Sequence, residues 1–349
     1  MTTNTIDESS TTVKERLSIP SDHSSIQITY PTNRSIYMHL LQLLIKPFRL
    51  RLSRPKEQNP EISPKLSPRS IFHRGCIVSE RAVCGIHIYD IIPKKGHNHE
   101  IRKRIYYFCG GSWQELPSSQ HWQVCAEFAR EMPDTIVSIV SHPLGPTNAA
   151  PSSFPKLLRL YRTLLKEADR QAHKAILAGD SSGGNIILCL VLEALREDLE
   201  AIHLENTEPM RIPHPTAIMA IGPSTDLTRS NPDIENLESL DPFLTIPVIR
   251  QTAKTWYGGW DPADRRVSPI NANISLLAER GIRMHGVTGG FDILTPDAVK
   301  FRDLCAEKRV SGQWLHWENQ MHCFVLTWSY GFPEGKEALN WVINILKHE

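Results

Sequence analysis

Three residues in this chain have the types that make an activated nucleophile: Ser181, then Asp292, then His322. A serine hydroxyl is a weak nucleophile at neutral pH, so an imidazole must take its proton and a carboxylate must orient that imidazole and stabilise its cation. Ser181 lies in Gly179-Asp180-Ser181-Ser182-Gly183, a G-x-S-x-G pentapeptide between the apolar runs 175–178 and 186–192. A buried strand that enters a sharp turn and opens into a helix is the setting of a nucleophile elbow, and the flanking glycines let strand and helix approach closely. Such a turn aims the Ser182 amide and the positive end of the helix at the space above Ser181, where a negative oxygen would form.

The partners follow in order. Asp292 comes after the strand-like segment 281–288 and the pair Gly289-Gly290. Its nearest competitor, Asp297, reads as a first-turn acid of the next helix. His322 follows the alternating segment 313–317 and is expected in a loop, whereas His316 would be held inside that strand. Upstream, Ile105-Tyr106-Tyr107-Phe108 leads into Cys109-Gly110-Gly111-Ser112-Trp113. Glycine lets main-chain N–H groups approach an oxyanion with no Cβ in the way, so Gly110 and Gly111 are candidate donors with Ser182; a plain β-turn pair is the other reading. Losing one donor costs on the order of 3 kcal/mol in the barrier. Cys109 stands outside the elbow and is expected as a small buried packing residue rather than a nucleophile.

Residues 179–185, G-D-S-S-G-G-N, resemble the nucleophile motif of the hormone-sensitive-lipase-like branch of the α/β-hydrolases, the fold-3 family. Cys109-Gly110-Gly111-Ser112 is similar to that family's HGGG loop, with Cys109 replacing the histidine and Ser112 the third glycine. Gly290-Phe291-Asp292-Ile293-Leu294 resembles its acid loop, and His322-Cys323-Phe324 its H-x-F motif. Segments 138–146, 154–158, 221–228, 260–262 and 267–269 are similar in the family's order, so the resemblance runs from about residue 70 to 347. It implies an α/β-hydrolase fold, a mostly parallel central sheet flanked by helices, with Ser181, His322 and Asp292 as a triad that forms an acyl-enzyme and needs no metal or organic cofactor. The chain as a whole looks similar to fungal members, several of which serve natural-product (polyketide) pathways. Thioester release, acyl transfer or condensation therefore stands beside ester hydrolysis. A non-catalytic ligand-binding protein, as the gibberellin receptors are, is the third reading; such proteins typically lose the histidine that His322 supplies.

With 349 residues, 40% of them hydrophobic, the chain suits one large α/β domain. A net charge of +1, no basic helix face and no zinc-spaced cysteines argue against a nucleic-acid partner. The seven cysteines are dispersed without a C-x-x-C pair, which suits a reducing, cytoplasmic setting with no disulfide or metal framework. Residues 1–32 are expected to be a disordered tail, 33–56 a helical segment, 57–69 a proline-rich linker and 70–349 the catalytic domain. No secretory signal, transit peptide or membrane span is read. The apolar stretch 36–52, interrupted by Pro47, has three readings. The family resemblance implies a cap over the site that buries Leu40, Leu41, Leu44 and Phe48. A peripheral membrane element through residues 36–56 would turn Lys46, Arg49, Arg51, Arg54 and Lys56 toward headgroups. Simple core packing is the third. Alternation over 76–93 predicts a hairpin, and 336–347 a terminal amphipathic helix. A leucine-rich cap and nearby aromatics favour an apolar small-molecule ester or thioester as substrate.

Overall fold

The computed structural model of the protein describes residues 25–55, 61–94, 100–205 and 212–349. Among these residues nine strands form: β1 (Ile26–Thr29), β2 (Cys76–Val83), β3 (Ile86–Pro93), β4 (Lys103–Phe108), β5 (Thr135–Val140), β6 (Lys174–Asp180), β7 (Ala217–Ile221), β8 (Arg283–Phe291) and β9 (Gly312–Met321). They make one sheet in the order β1-β9-β8-β7-β6-β4-β5-β3-β2. Adjacent pairs are parallel except β5 with β3 and β3 with β2, so β3 alone runs against the rest.

Side chains alternate across a strand, and here both faces are covered. Tyr106 and Phe108 pack under the helices Ala150–Arg170 and Ser181–Glu205. Ile105 and Tyr107 pack under Ser119–Glu131 and Pro333–His348. A strand covered on both sides must be apolar almost throughout, which is why β5 has no exposed position. Parallel strands also return their chain through right-handed crossovers, so the C-terminal ends of β4, β6, β8 and β9 open on one edge of the sheet. That edge carries Gly110, Ser181, Asp292 and His322.

The hairpin expected over 76–93 is β2–β3, turned by Cys84 and Gly85, both at positive φ as a two-residue primed turn requires. The expected disordered tail does not hold at its C-terminal end: Ile26–Thr29 is an edge strand paired with residues 312–315 of β9. Four residues carry too little pattern to be read as a strand, and their partner lies at the far end of the chain. Residues 1–24 lie outside the described residues, as do residue 56 of the expected helical segment and 57–60 of the expected linker. Residues 61–69 form neither helix nor strand.

The segment read as a cap is a helix over Ile36–Ile45, capped by the Ser35 hydroxyl, with Pro47 in a following 3-10 turn. Its phase corrects the expected burial. Met38 and Gln42 are buried against the body, and Leu41 and Ile45 face inward. Leu40, Leu44 and Phe48 are 48%, 69% and 60% exposed, on the opposite face. Gln42 sets that phase, its side chain donating to the Asn319 carbonyl and accepting from Arg34.

Candidate active site

Ser181 sits at φ +50°, a left-handed backbone that costs a residue bearing a Cβ. The turn persists because the helix runs against β4 with nothing between. A Cβ on Gly183 would lie 1.9 Å from the Phe108 carbonyl oxygen, and one on Gly179 2.8 Å from the same oxygen. The Ser181 hydroxyl donates to His322 Nε2 at 2.9 Å, and His322 Nδ1 donates to Asp292 Oδ2 at 2.7 Å. Asp292 is fully buried, and its Oδ1 accepts the Leu294 amide. The Phe243 ring stacks on the imidazole. Asp297 lies apart, in the first turn of the helix Thr295–Glu307, taking the Asn231 amide group. His316 stays inside β9 against Thr288.

The oxyanion loop requires one correction. The Gly110 amide donates to Asp180 Oδ1 at 3.0 Å, so it is committed and does not face the space above Ser181. The loop then runs through three consecutive positive φ values, at Gly111, Ser112 and Trp113. Such a run turns successive amides to one side, and the amides of Gly111 and Ser112 have no acceptor among the described residues. Ser182 lies in the first turn of its helix, where no intrahelical carbonyl is available to its N–H. Strain at Ser112 and Trp113 is held by the Trp113 carbonyl, which accepts from Gly145, and by Trp113 stacking on Trp256. Cys109 is buried, and burial pushes its thiol well above the ordinary range, as suits packing and not attack. Its carbonyl meets His142 Nε2 at 3.2 Å.

A cavity of about 520 Å³ opens above Ser181, walled by Gly111, Trp113, Ser224, Phe243, Ile249 and Leu294. A second, more apolar lobe of about 530 Å³ meets it at His322 and Cys323 and runs out under Leu41 and Ile45 to Tyr330 and Phe332. The arrangement can deprotonate Ser181 as it attacks an acyl carbon, and return the proton to a leaving oxygen or sulfur.

The profile of the α/β-hydrolase fold family matches residues 105–326. The chain belongs to that family. Relatives in this α/β-hydrolase's sequence neighbourhood include hormone-sensitive lipase of Homo sapiens, 24% identical over 172 residues, 48% of this chain and 15% of that protein. The same lipase of Ictidomys tridecemlineatus is 24% identical over 177 residues, 50% of this chain and 21% of that protein. The match thus spans about a fifth or less of those lipases. LipR of Mycobacterium tuberculosis, designated an acetyl-hydrolase, is 24% identical over 237 residues, 67% of this chain and 70% of LipR. Solved structures include an esterase/lipase from an uncultured bacterium, with TM-score 0.68 at 18% identity over 90% of this chain and 99% of that one. A hormone-sensitive lipase from a metagenome library gives 0.65 at 20%, with the same shares covered. At such identities the likeness is one of fold.

Electrostatics in this α/β-hydrolase centre on two buried carboxylates that its motifs do not explain. Asp180 accepts from the Tyr107 hydroxyl and Gly110 amide through Oδ1, and pairs with His121 Nε2 through Oδ2 at 3.2 Å. Its own burial opposes ionisation, yet His121 beside it and these bonds hold it below the usual carboxylate range. Asp241 receives the amides of Phe243, Leu244 and Ile293, tying the 240s loop to the loop of Asp292. Burial and the Asp292 charge push it up to about 7 despite those bonds. At His322, burial lowers proton affinity, but Asp292, then Cys323, reverse this and leave it well above the ordinary value. Sequence reasoning passed over Asp180, Asp241 and the buried Arg229. The one signal was a carboxylate directly before the nucleophile.

Proposed function

We propose that the protein is a serine hydrolase that cleaves carboxylic esters of small molecules through an acyl-enzyme. The observation that carries this is the unbroken chain of hydrogen bonds from Ser181 through His322 to Asp292 at the edge of a cavity of about 520 Å³. Ser181 Oγ attacks the ester carbonyl carbon as its proton passes to His322 Nε2. Asp292 stabilises the imidazolium, and the amides of Gly111 and Ser182, joined by Ser112 in place of Gly110, receive the oxyanion. Collapse breaks the bond to the alcohol oxygen, which takes the proton from His322. Water, deprotonated by His322, then releases the acid and restores Ser181.

The family and the esterase and lipase names of the relatives support ester hydrolysis. Intact mass after treatment with a fluorophosphonate, with p-nitrophenyl esters of graded length as substrates, tests it. One adduct and turnover in the wild type, with neither in Ser181→Ala or His322→Ala, is the expected result. Labelling without turnover would reassign the acyl-enzyme to an acceptor other than water, as in thioester release. No labelling would remove the triad.

The outer face of the helix Ile36–Ile45 supports a second element of the reading, contact with an anionic lipid surface. Among the described residues, nine of fourteen exposed large hydrophobic side chains lie between Tyr30 and Leu52, which makes this one patch and not scattered surface. Residues 25–55 carry Arg34, Lys46, Arg49, Arg51 and Arg54 and no acid, so two copies meeting face to face would repel, whereas acidic headgroups would not. No helix among the described residues is long and apolar enough to cross a membrane.

A further inference from the structure

Arg229 lies in the loop after β7, lines the cavity above Ser181 and is only 4% exposed. Nη1 donates to the Asp226 carbonyl at 2.8 Å and Nη2 to Ser224 Oγ at 2.7 Å, while Nε has no partner. No carboxylate among the described residues stands within 4.0 Å of it. Burial pulls its guanidinium below the ordinary range, and Asp297, Asp226 and Asp292 act on it only from farther off. A buried cation without a paired anion is expensive, so a site that keeps one is poised for an anionic ligand.

The surroundings narrow the choice. Ser224 Oγ accepts from Arg229, which leaves its own hydroxyl hydrogen to donate, so two unspent donors sit side by side. The Ser224 amide donates to the carbonyl of Ser181 itself at 3.3 Å, placing this pair directly against the candidate nucleophile. Ile249 and Leu294 make part of the wall apolar, and Arg51 and Arg54 line the same cavity with positive charge. Of the two carboxylates lining the cavity, Asp180 is taken up by Tyr107, Gly110 and His121. Glu115 lies across the cavity's loop, against Gly111.

Resting on the hydrolase reading above, we infer that the substrate is an ester that also carries a carboxylate a few bonds from its ester carbonyl, held by the Arg229 guanidinium and the Ser224 hydroxyl. A hemiester of a short dicarboxylic acid has this chemistry. The subsite selects substrate and takes no part in bond breaking.

The test compares mono-p-nitrophenyl glutarate with p-nitrophenyl butyrate, and acetoxybenzoate with phenyl acetate, so that the carboxylate is offered on the acyl and on the leaving side. The wild type should favour at least one anionic ester over its neutral counterpart in kcat/KM, and free glutarate should inhibit competitively. In Arg229→Gln the anionic-to-neutral ratio should fall at least tenfold, and in Ser224→Ala by a smaller factor. The wild-type ratio and the inhibition stand even where a variant fails to fold. Neutral esters turned over with no preference for either anionic ester and no inhibition by glutarate would overturn the carboxylate site alone. A protein inert to all four esters and to a fluorophosphonate would overturn the hydrolase reading, and this inference with it.

Discussion

Asp180 offers the sharpest test of how the oxyanion loop is held, because two substitutions there should separate. Asp180→Ala strips one acceptor group from three buried donors: the Tyr107 hydroxyl at 2.9 Å, the Gly110 amide at 3.0 Å and His121 Nε2 at 3.2 Å. Hydrogen bonds to a charged group contribute about 1.5–3 kcal/mol each. Part of that sum is offset by the carboxylate's own burial, so we expect a loss near ~4 kcal/mol in urea unfolding. Asp180→Asn keeps an oxygen that can still accept from Tyr107 and Gly110. Its amide nitrogen, however, meets His121 Nε2–H, which is the donor because Nδ1 accepts the Ser118 amide. One bond is lost, for about 1.5–3 kcal/mol. The rates should part more widely. With Gly110 free, the loop carrying Gly111 and Ser112 loses its anchor, and kcat on a p-nitrophenyl ester should fall by about 10²-fold, as for a missing oxyanion donor. With Gly110 still anchored, the asparagine variant should retain most of its rate. Equal losses of kcat in the two variants would refute the claim that Asp180 acts through Gly110.

Because Asp292 and Cys323 hold His322 well above its ordinary value against the effect of burial, and a general base must be neutral, kcat/KM should rise with pH through a limb lying above about 6.5. Asp292→Asn should move that limb to lower pH as well as cut the rate; a wild-type limb below 6 contradicts the ion pair. The same pair implies stability that is fully present below the unfolded imidazole value and is lost as pH rises through the folded one. For the lipid contact, co-sedimentation with phosphatidylserine-rich vesicles should exceed that with phosphatidylcholine alone, weaken in high salt and drop in Leu44→Asp and Phe48→Asp. Equal sedimentation with both lipids, or none, ends that reading.

The candidate site of this chain was legible because its marks are local. An elbow needs Gly179 and Gly183 at fixed offsets from Ser181, a strand needs alternation, and a loop histidine is marked by the strand before it; each leaves its mark within a few residues. The order Ser181, Asp292, His322 is informative only through the family resemblance, because the same geometry is built in other chain orders on other folds. Which face of the helix Ile36–Ile45 turns inward is different. Leucines surround it on both sides, and the phase was decided by Gln42 bonding nearby Arg34 and reaching Asn319, a contact across most of the chain. The strand Ile26–Thr29 exists because β9 leaves an open edge, not because four residues prefer to be extended. Gly110 looks like Gly111 in the sequence, yet its amide is spent on Asp180, and Arg229 looks like any loop arginine until the walls close around it. Local sequence determines which conformations a segment can adopt. Which hydrogen-bonding groups remain unspent depends on what the fold brings within 3 Å, and that is decided only when distant segments meet.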